Sequence, residues 1–327
     1  MSGRRAPWVA ALIVGLGMIA APVAFQMFGR APEGGTMIDE FEPYMTTAEI
    51  EQFRGYLDEI GAVQAEWNGA LRPALESEGA VDDGTQVQGV DAFAEAWPDI
   101  EADMGDLLDR MEANLDNYEA VAALPPFPLF PWFFVLPGLF VAGVAAWGLS
   151  RSRRATPGRA PAWALLGLGV ALVLAPVAFQ MFTRAPQGRD MIDDFRPMMT
   201  PARVQAVQGY FVTLGVAEGQ LRTTVVPLAE DHGIDSGTYP AATQFSEDWP
   251  GILADFNPMV ATMSDNLDNF AAVDALPRFD LFPWFFVIPG VLVAASGGLA
   301  LRTARRPADH VGAIASSEPE PAEGGQP

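Results

Sequence analysis

The sequence predicts an all-α membrane protein with four transmembrane helices. Its predicted architecture is a tandem repeat of a transmembrane helix, an extracytoplasmic helical hairpin and a second transmembrane helix. Three observations support this fold class: an internal repeat, four long apolar stretches, and heptad spacing in the segments between them. A lone hairpin would expose much of its apolar face, so we expect the two hairpins to form a four-helix bundle.

The internal repeat consists of two pairs of matching segments. Residues 21–46 align without gaps on residues 175–200 with 19 of 26 positions identical, and both segments begin APVAFQMF. Residues 114–138 align on residues 266–290 with 19 of 25 identical. The offset between the copies falls from 154 to 152 residues along the chain. A tandem duplication explains this pattern and makes each half of the chain one structural unit.

Four stretches of 21 residues contain no Asp, Glu, Lys or Arg. About 20 apolar residues cross a bilayer, so these stretches predict transmembrane segments at residues 8–28, 129–149, 162–182 and 281–301. Two long polar segments separate them, at residues 29–128 and 183–280, and each is predicted to form a hairpin. The remaining parts are the N-terminus 1–7, the loop 150–161 and a tail, 302–327, whose composition predicts disorder.

The arginine residues predict the orientation in the membrane. All 19 basic residues are Arg, and nine of them lie in the N-terminus, the short loop and the tail. By the positive-inside rule these regions are cytoplasmic. The two polar segments, with net charges of −19 and −8, are then extracytoplasmic. The lysine-free, Ala- and Arg-rich composition is typical of a high-GC bacterium, so we expect a multi-pass protein of the bacterial cytoplasmic membrane.

Apolar residues at alternating gaps of three and four predict a packed helix face in each hairpin. In the first copy they are Ile50, Phe53, Leu57, Ile60, Trp67, Leu71 and Ala74, and in the second they are Val204, Val207, Phe211, Leu214, Leu221, Val225 and Leu228. A second helix is predicted to begin near Pro98, because proline suits the first helical turn. Its counterpart in the second copy carries Ile252, Phe256 and Met259 at helical spacing.

Gln64 and Glu218 occupy one apolar slot of this pattern, in the same register of the two copies. A polar residue in a core layer can specify register and partner choice. One interpretation is a buried hydrogen bond between the two side chains, with Glu218 held protonated by burial. The other is that the bundle is open at this layer and the slot is solvated.

The repeated octapeptide APVAFQMF places a proline and a glutamine near the outer end of the first and third spans. Pro22 and Pro176 each remove a backbone donor and are expected to kink the helix. Gln26 and Gln180 follow one turn later. Their amides are expected at the membrane interface or hydrogen-bonded to a neighbouring helix, and a polar pair facing a substrate path is the alternative.

The repeated motif LFPWFF begins the second and fourth spans. Its Trp132 and Trp284 are expected at the outer boundary as part of an aromatic belt, or alternatively on a surface that contacts lipid. Pro137 and Pro289 are expected to add kinks one turn deeper. The small residues four apart in each span, Gly138 with Ala142 and Gly290 with Ala294, favour close helix approach.

Catalytic signatures are absent from the sequence. Zero cysteine excludes disulfides, thiol catalysis and Cys-ligated metals. The two histidines lie in the tail and in a predicted turn, and no phosphate-binding Gly loop or nucleophile–base motif is found. We therefore expect a protein that is not an enzyme and has no cofactor or metal. The acidic polar segments disfavour nucleic acid as a partner.

Three function classes fit this description. The first is a noncatalytic membrane scaffold or accessory subunit, whose duplicated helical bundle binds another envelope or membrane protein. The second is a membrane sensor with a helical ligand-binding domain that signals through a separate partner, because the 26-residue tail contains no output module. The third is a subunit of a transporter or lipid-handling complex. Membrane lipids are partners in every case, and the chain could also form a homo-oligomer.

Overall fold

The computed structural model describes residues 5–81, 87–152 and 159–305. These residues form helices and contain no strand, which confirms the all-α part of the predicted fold class for the described part of the chain. Four segments for which the sequence makes predictions lie wholly or partly outside the described residues. They are the predicted cytoplasmic N-terminus and loop, the predicted turn of the first hairpin, and the tail that is predicted to be disordered.

The described residues of the first copy form seven α-helices. They are α1 Ala6–Ala24, α2 Met27–Phe41, α3 Thr47–Glu66, α4 Arg72–Ser77, α5 Gln88–Ala113, α6 Leu115–Ala122 and α7 Phe130–Ser152. The second copy repeats this order. Its helices are α8 Ala160–Ala178, α9 Met181–Phe195, α10 Pro201–Gln220, α11 Val226–Asp231, α12 Pro240–Asp265, α13 Leu267–Asp274 and α14 Trp284–Arg305.

Among the described residues, four helical segments are long and apolar enough to cross a membrane: Ala6–Ala24, Phe127–Ser152, Ala160–Ala178 and Phe279–Thr303. This confirms the prediction of four membrane-capable helices. The first and third end four residues earlier than predicted, at Ala24 and Ala178, because a helix break follows each of them. Two further helices that the sequence analysis missed, α2 and α9, begin directly after these breaks.

The chain divides into two compact units. The span unit comprises Met1–Ala24, Pro131–Met181 and Phe282–Pro327, and the polar unit comprises Phe25–Phe130 and Phe182–Leu281. Each unit draws on both copies of the repeat.

Small residues bring the helices of the span unit together. A Cβ atom built on Gly15 of α1 would lie 2.7 Å from the backbone nitrogen of Ala142 in α7 and 2.8 Å from the carbonyl oxygen of Gly138. The equivalent Gly169 of α8 meets α14 in the same way, with the carbonyl oxygen of Gly290 at 2.6 Å. Any larger side chain at these glycines would therefore push the paired helices apart.

Two equivalent phenylalanines meet inside the span unit. The rings of Phe134 in α7 and Phe286 in α14 stack with their centroids 4.7 Å apart, and both side chains are buried. The two residues hold the same place in the LFPWFF motif of the two copies. A residue that contacts its own counterpart lies where the two copies meet.

The polar unit is organised by its four longest helices. Within the copies α3 contacts α5 and α10 contacts α12, while between the copies α3 contacts α12 and α10 contacts α5. The aromatic rings of Phe53 in α3 and Phe256 in α12 stack at 4.5 Å, and both are fully buried. The predicted apolar face thus packs both within and between the copies.

A threonine caps the start of the first long helix in each copy. Thr46 and Thr200 accept hydrogen bonds from the backbone N–H groups of Glu49 and Arg203, as N-cap residues do.

At the ends of α3 and α10 the backbone widens into π-helical turns, at Trp67–Leu71 and Leu221–Val225. A proline, which has no N–H group, follows each turn by two residues.

The π-helical turns shift the buried register. The heptad pattern predicts Ala74 and Leu228 in the core, but both are only partly buried. The next residues, Leu75 and Ala229, are fully buried instead. A π-turn adds one residue to the helical repeat, so every later position moves one place along the packed face.

The predicted start of the second long helix near Pro98 is wrong. Helix α5 begins at Gln88, ten residues earlier, and Pro98 lies in its interior. A proline inside a helix leaves the carbonyl four residues earlier without its usual donor, and here that carbonyl belongs to Ala94. The side-chain amide of Gln64 donates to the Ala94 oxygen at 3.3 Å. This tertiary contact compensates for the proline.

Candidate interaction surfaces of the polar unit

Each copy supplies a side chain that caps a helix of the other. The two carboxylate oxygens of Glu66 accept hydrogen bonds from the backbone N–H groups of Ala241 and Ala242, both at 2.8 Å, at the start of α12. The equivalent Gln220 accepts from the N–H groups of Gly89 at 2.7 Å and Val90 at 3.2 Å, at the start of α5. These bonds satisfy N–H groups that a helix cannot pair internally.

Two tyrosine–aspartate pairs also cross between the copies. The Tyr56 hydroxyl in α3 donates to Asp255 in α12 at 2.6 Å, and the equivalent Tyr210 in α10 donates to Asp103 in α5. In both pairs the phenol O–H donates to the carboxylate. The hydrogen bond to Asp255, followed by burial, raises the pKa of Tyr56, and burial, followed by the hydrogen bond to Asp103, raises the pKa of Tyr210. The same contact between equivalent residues therefore occurs twice, once between α3 and α12 and once between α10 and α5.

The surroundings of these two pairs differ in charge. Arg203 lies beside Asp103 and forms an ion pair with it. Its counterpart in the first copy is Glu49, which lies near Asp255. Burial, and then repulsion by Asp255, raise the pKa of Glu49. One of the two contacts between the copies therefore includes an ion pair where the other has two like charges.

A buried asparagine marks the break before α6 and before α13. Asn114 and Asn266 are fully buried and are equivalent residues in the NLDN motif. The side-chain nitrogen of Asn114 donates to Asp194 at 3.0 Å, and that of Asn266 donates to Glu40 at 2.7 Å. Each asparagine thus reaches an acid from the other copy, and the two bonds join the short helices α2 and α9 to the long ones.

A small apolar cavity of about 60 Å³ lies between the two copies. Its lining residues are apolar apart from one tyrosine, Tyr118, and eight of them are methionines: Met37, Met45, Met111, Met191, Met198, Met199, Met259 and Met263. The hydroxyl of Tyr118 donates to the backbone carbonyl of Ile38 at 2.5 Å. Burial raises the pKa of Tyr118 to about 12, so this residue stays uncharged.

A wider groove of about 350 Å³ lies between α10 and α12 of the second copy. Its lining includes Phe211, Val212, Trp249 and Leu253. Val212 is 67% exposed, and Val216, one turn away on the same helix, is 50% exposed. Most other large hydrophobic residues that are at least 50% exposed, as Val216 is, lie in the span unit.

The matching face of the first copy is charged. Arg54, Asp58 and Glu101 stand where the groove has Gln208, Val212 and Leu253. Arg54 also forms ion pairs with Asp109 and Glu112, at 2.6 and 2.7 Å. The two copies share a backbone plan here, yet only the second presents an open apolar surface.

Gln64 and Glu218, the predicted core pair, have separate partners in the described residues. Gln64 is partly buried and donates to the Ala94 carbonyl. Glu218 is only 5% exposed and accepts from Arg222 at 2.9 Å, one turn along its own helix. The hydrogen bond of the first interpretation does not form between them, since the amide of Gln64 donates to Ala94 and the carboxylate of Glu218 accepts from Arg222. The pair of Glu218 with Arg222 is within one helix of the second copy.

Gln26 and Gln180 lie at the helix breaks. Both have a left-handed backbone, with φ of 55° and 53°, and both side chains are exposed. Among the described residues they are the two non-glycine positions with positive φ. Pro22 and Pro176 are buried near the ends of α1 and α8, and the helix stops two residues after each of them.

Trp132 and Trp284 are 45% and 49% exposed within the structure. Such exposure is compatible with both interpretations, an aromatic belt and a lipid-contacting surface. Pro137 and Pro289 lie inside α7 and α14, where both are partly buried.

Several residues of these surfaces could not be identified as such from the sequence. Glu66 and Gln220 lie in the least similar part of the repeat and carry no motif. The sequence could have indicated that Asn114 and Asn266 are important, because the NLDN motif is identical in both copies. Within the described residues no group of three or more His, Asp or Glu side chains could hold a metal ion.

No protein-family model, no curated protein and no solved structure matches the chain. The function must therefore be argued from the surfaces described above.

Proposed function

We propose that the protein is a noncatalytic membrane scaffold or accessory subunit, and that the groove between α10 and α12 binds a partner protein of the bacterial envelope. The observation that carries this proposal is the difference between the copies: the groove is open and mostly apolar, with no charged side chain among its lining residues, whereas the same face of the first copy is charged. Exposed apolar surface of this kind is typical of interaction sites.

The charge of the polar unit indicates which partner fits. The two polar segments carry −19 and −8, so a second copy of the chain would be repelled. A partner that inserts apolar side chains into the groove and surrounds them with Lys or Arg would be attracted. The proposed occupant is therefore an apolar helix with basic flanks from a different protein.

The proposal includes the predicted architecture and topology. Each copy contributes a helical hairpin, the two hairpins form one four-helix bundle, and this bundle is extracytoplasmic while both termini are cytoplasmic. The contacts of α3, α5, α10 and α12, each with two of the others, support the bundle. Because the chain has no cysteine, an impermeant thiol reagent in intact cells should label Asp58→Cys and should leave Thr156→Cys unlabelled.

Site-specific photocrosslinking in native membranes tests the partner site. A photoreactive amino acid at position 212 should crosslink a different protein, and the same probe at position 58 should not. Mass spectrometry should show that the crosslinked peptide is apolar with Lys or Arg on both sides. A crosslink to lipid or to a second copy of the chain would overturn the proposal.

A charge-inserting variant provides the matched test. Val212→Asp with Leu253→Glu gives the groove the residues of the first copy, and the exposure of Val212 means that folding should be preserved. This variant should lose the partner crosslink from a probe at position 216. Ala65→Asp with Ala102→Glu adds the same charge at exposed positions of the first copy and should retain it.

A further inference from the structure

The apolar cavity of the polar unit is built from equivalent residues of both copies. Met37 and its counterpart Met191 both line it, and so do Met111 and its counterpart Met263. The phenylalanines Phe41 and Phe195 also line it as a pair. The cavity therefore lies where the copies meet and is distinct from the groove, which belongs to the second copy alone.

The cavity offers no polar group to a ligand. Tyr118 supplies the one nitrogen- or oxygen-bearing side chain among its lining residues, and its hydroxyl is already bonded to the Ile38 carbonyl. A water molecule needs two to four polar partners, so an apolar site of this kind stays dry. A charged or strongly polar ligand would lose its hydration without compensation.

The methionine walls can adapt to a ligand. A cavity of about 60 Å³ is smaller than the roughly 150 Å³ that accepts benzene, so entry requires side-chain movement. Methionine is unbranched, rotates about three bonds and fits irregular shapes. A rigid core of Leu and Ile would not provide this freedom.

We propose that this cavity binds an uncharged alkyl chain, taken either from a membrane lipid or from a free hydrocarbon compound. Its apolar lining, its location between the two copies and its eight methionines are the observations that carry the proposal. A slender chain can enter by displacing methionine side chains one at a time, whereas a bulky ring would need several to move together.

The test is methyl NMR of the full chain in nanodiscs of perdeuterated lipid, with carbon-13 in the methionine methyl groups and n-octane as the probe. Of the 13 methionines, the eight that line the cavity should show saturable shifts. Met18 in α1 reports octane that merely partitions into the bilayer. Shifts that stay linear with octane concentration and appear equally at Met18, or no shifts at all, would overturn the proposal.

Substitutions of the methionines that line the cavity test whether octane binds there. Met191→Phe fills the cavity and should weaken octane binding by about tenfold or more. Met111→Phe fills it from the opposite copy if the first variant does not fold. Met104→Leu alters a buried methionine outside the cavity and should leave the affinity unchanged. Equal octane affinity in a folded cavity-filling variant and in the wild type would refute the site.

The source of the chain is distinguished by spin labels. A nitroxide at the end of a phospholipid acyl chain should broaden the signals of the lining methionines if lipid is the donor. A free fatty acid with the same nitroxide should do so if the ligand comes from solution. Thioethers also bind soft monovalent ions, so shifts with Ag⁺ and none with octane would replace the alkyl proposal with a metal site.

Discussion

Glu66 and Gln220 hold the same position in the two copies, and each accepts two backbone hydrogen bonds at the start of a helix in the other copy. The exchange is reciprocal, so the second long helix of each copy is capped by a side chain of the other copy. Together with the two tyrosine–aspartate pairs, these bonds join the copies through specific polar contacts as well as through apolar packing.

Loss of the Glu66 cap should destabilise the polar unit. Glu66→Ala leaves the N–H groups of Ala241 and Ala242 without their acceptor, which should lower the free energy of unfolding by about 1 to 2 kcal/mol. Thermal unfolding of the full chain, followed by circular dichroism, measures the effect. Glu51→Ala on the same helix removes an exposed acid and should change stability by less than about 0.5 kcal/mol. Equal effects of the two changes would show that the cap is not important.

Gln64 should matter only while Pro98 is present. Gln64→Leu leaves the Ala94 carbonyl unpaired and should cost about 1 kcal/mol. In a Pro98→Ala background the new backbone N–H group can bond this carbonyl, so the same substitution should cost much less. The double-mutant cycle gives the difference. An equal cost in both backgrounds would contradict the assignment of Gln64 as the partner of the carbonyl that Pro98 leaves free.

Replacing Glu49 by the residue of the other copy should stabilise the protein. Glu49→Arg exchanges repulsion of Asp255 for an ion pair like that of Arg203 with Asp103, and we expect a gain of about 0.5 kcal/mol at pH 7. The gain should largely vanish when Asp255→Asn is also present. A gain that persists there would have another cause.

The same substitution predicts a pH dependence. The folded-state pKa of Glu49 is raised, so its contribution is most favourable at low pH and is lost as the pH rises through that pKa. The advantage of Glu49→Arg over the wild type should therefore grow between about pH 4 and pH 7. Unfolding measured across this range, with Glu51→Ala as the control, tests the sign.

The left-handed backbone at the helix breaks should favour glycine. Gln26 has φ of 55°, where a side chain costs about 1 kcal/mol and glycine does not. Gln26→Gly should therefore raise the melting temperature, and Gln26→Ala should not. Gln208→Gly, inside α10, should lower it, because glycine weakens a helix interior. If Gln26→Gly is destabilising, the exposed amide of Gln26 makes a contribution that exceeds the backbone strain.

The sequence by itself determined the helical class and the four membrane-capable segments. Both depend on local patterns: apolar runs of sufficient length, and apolar residues at helical spacing. The repeat also indicated which residues are equivalent, so one partner in each pair identifies the other. Local propensity was misleading at Pro98, where a contact from Gln64, 34 residues earlier, supports the helix interior.

Only the tertiary structure decided which equivalent residues meet. Phe134 contacts its own counterpart, whereas Gln64 and Glu218 do not, and nothing in their spacing distinguishes the two cases. The caps, the methionine-lined cavity and the open groove all depend on helices that are distant in sequence. Such contacts are set by packing and by the pairing of buried polar groups across the whole unit, and a local pattern carries no information about either.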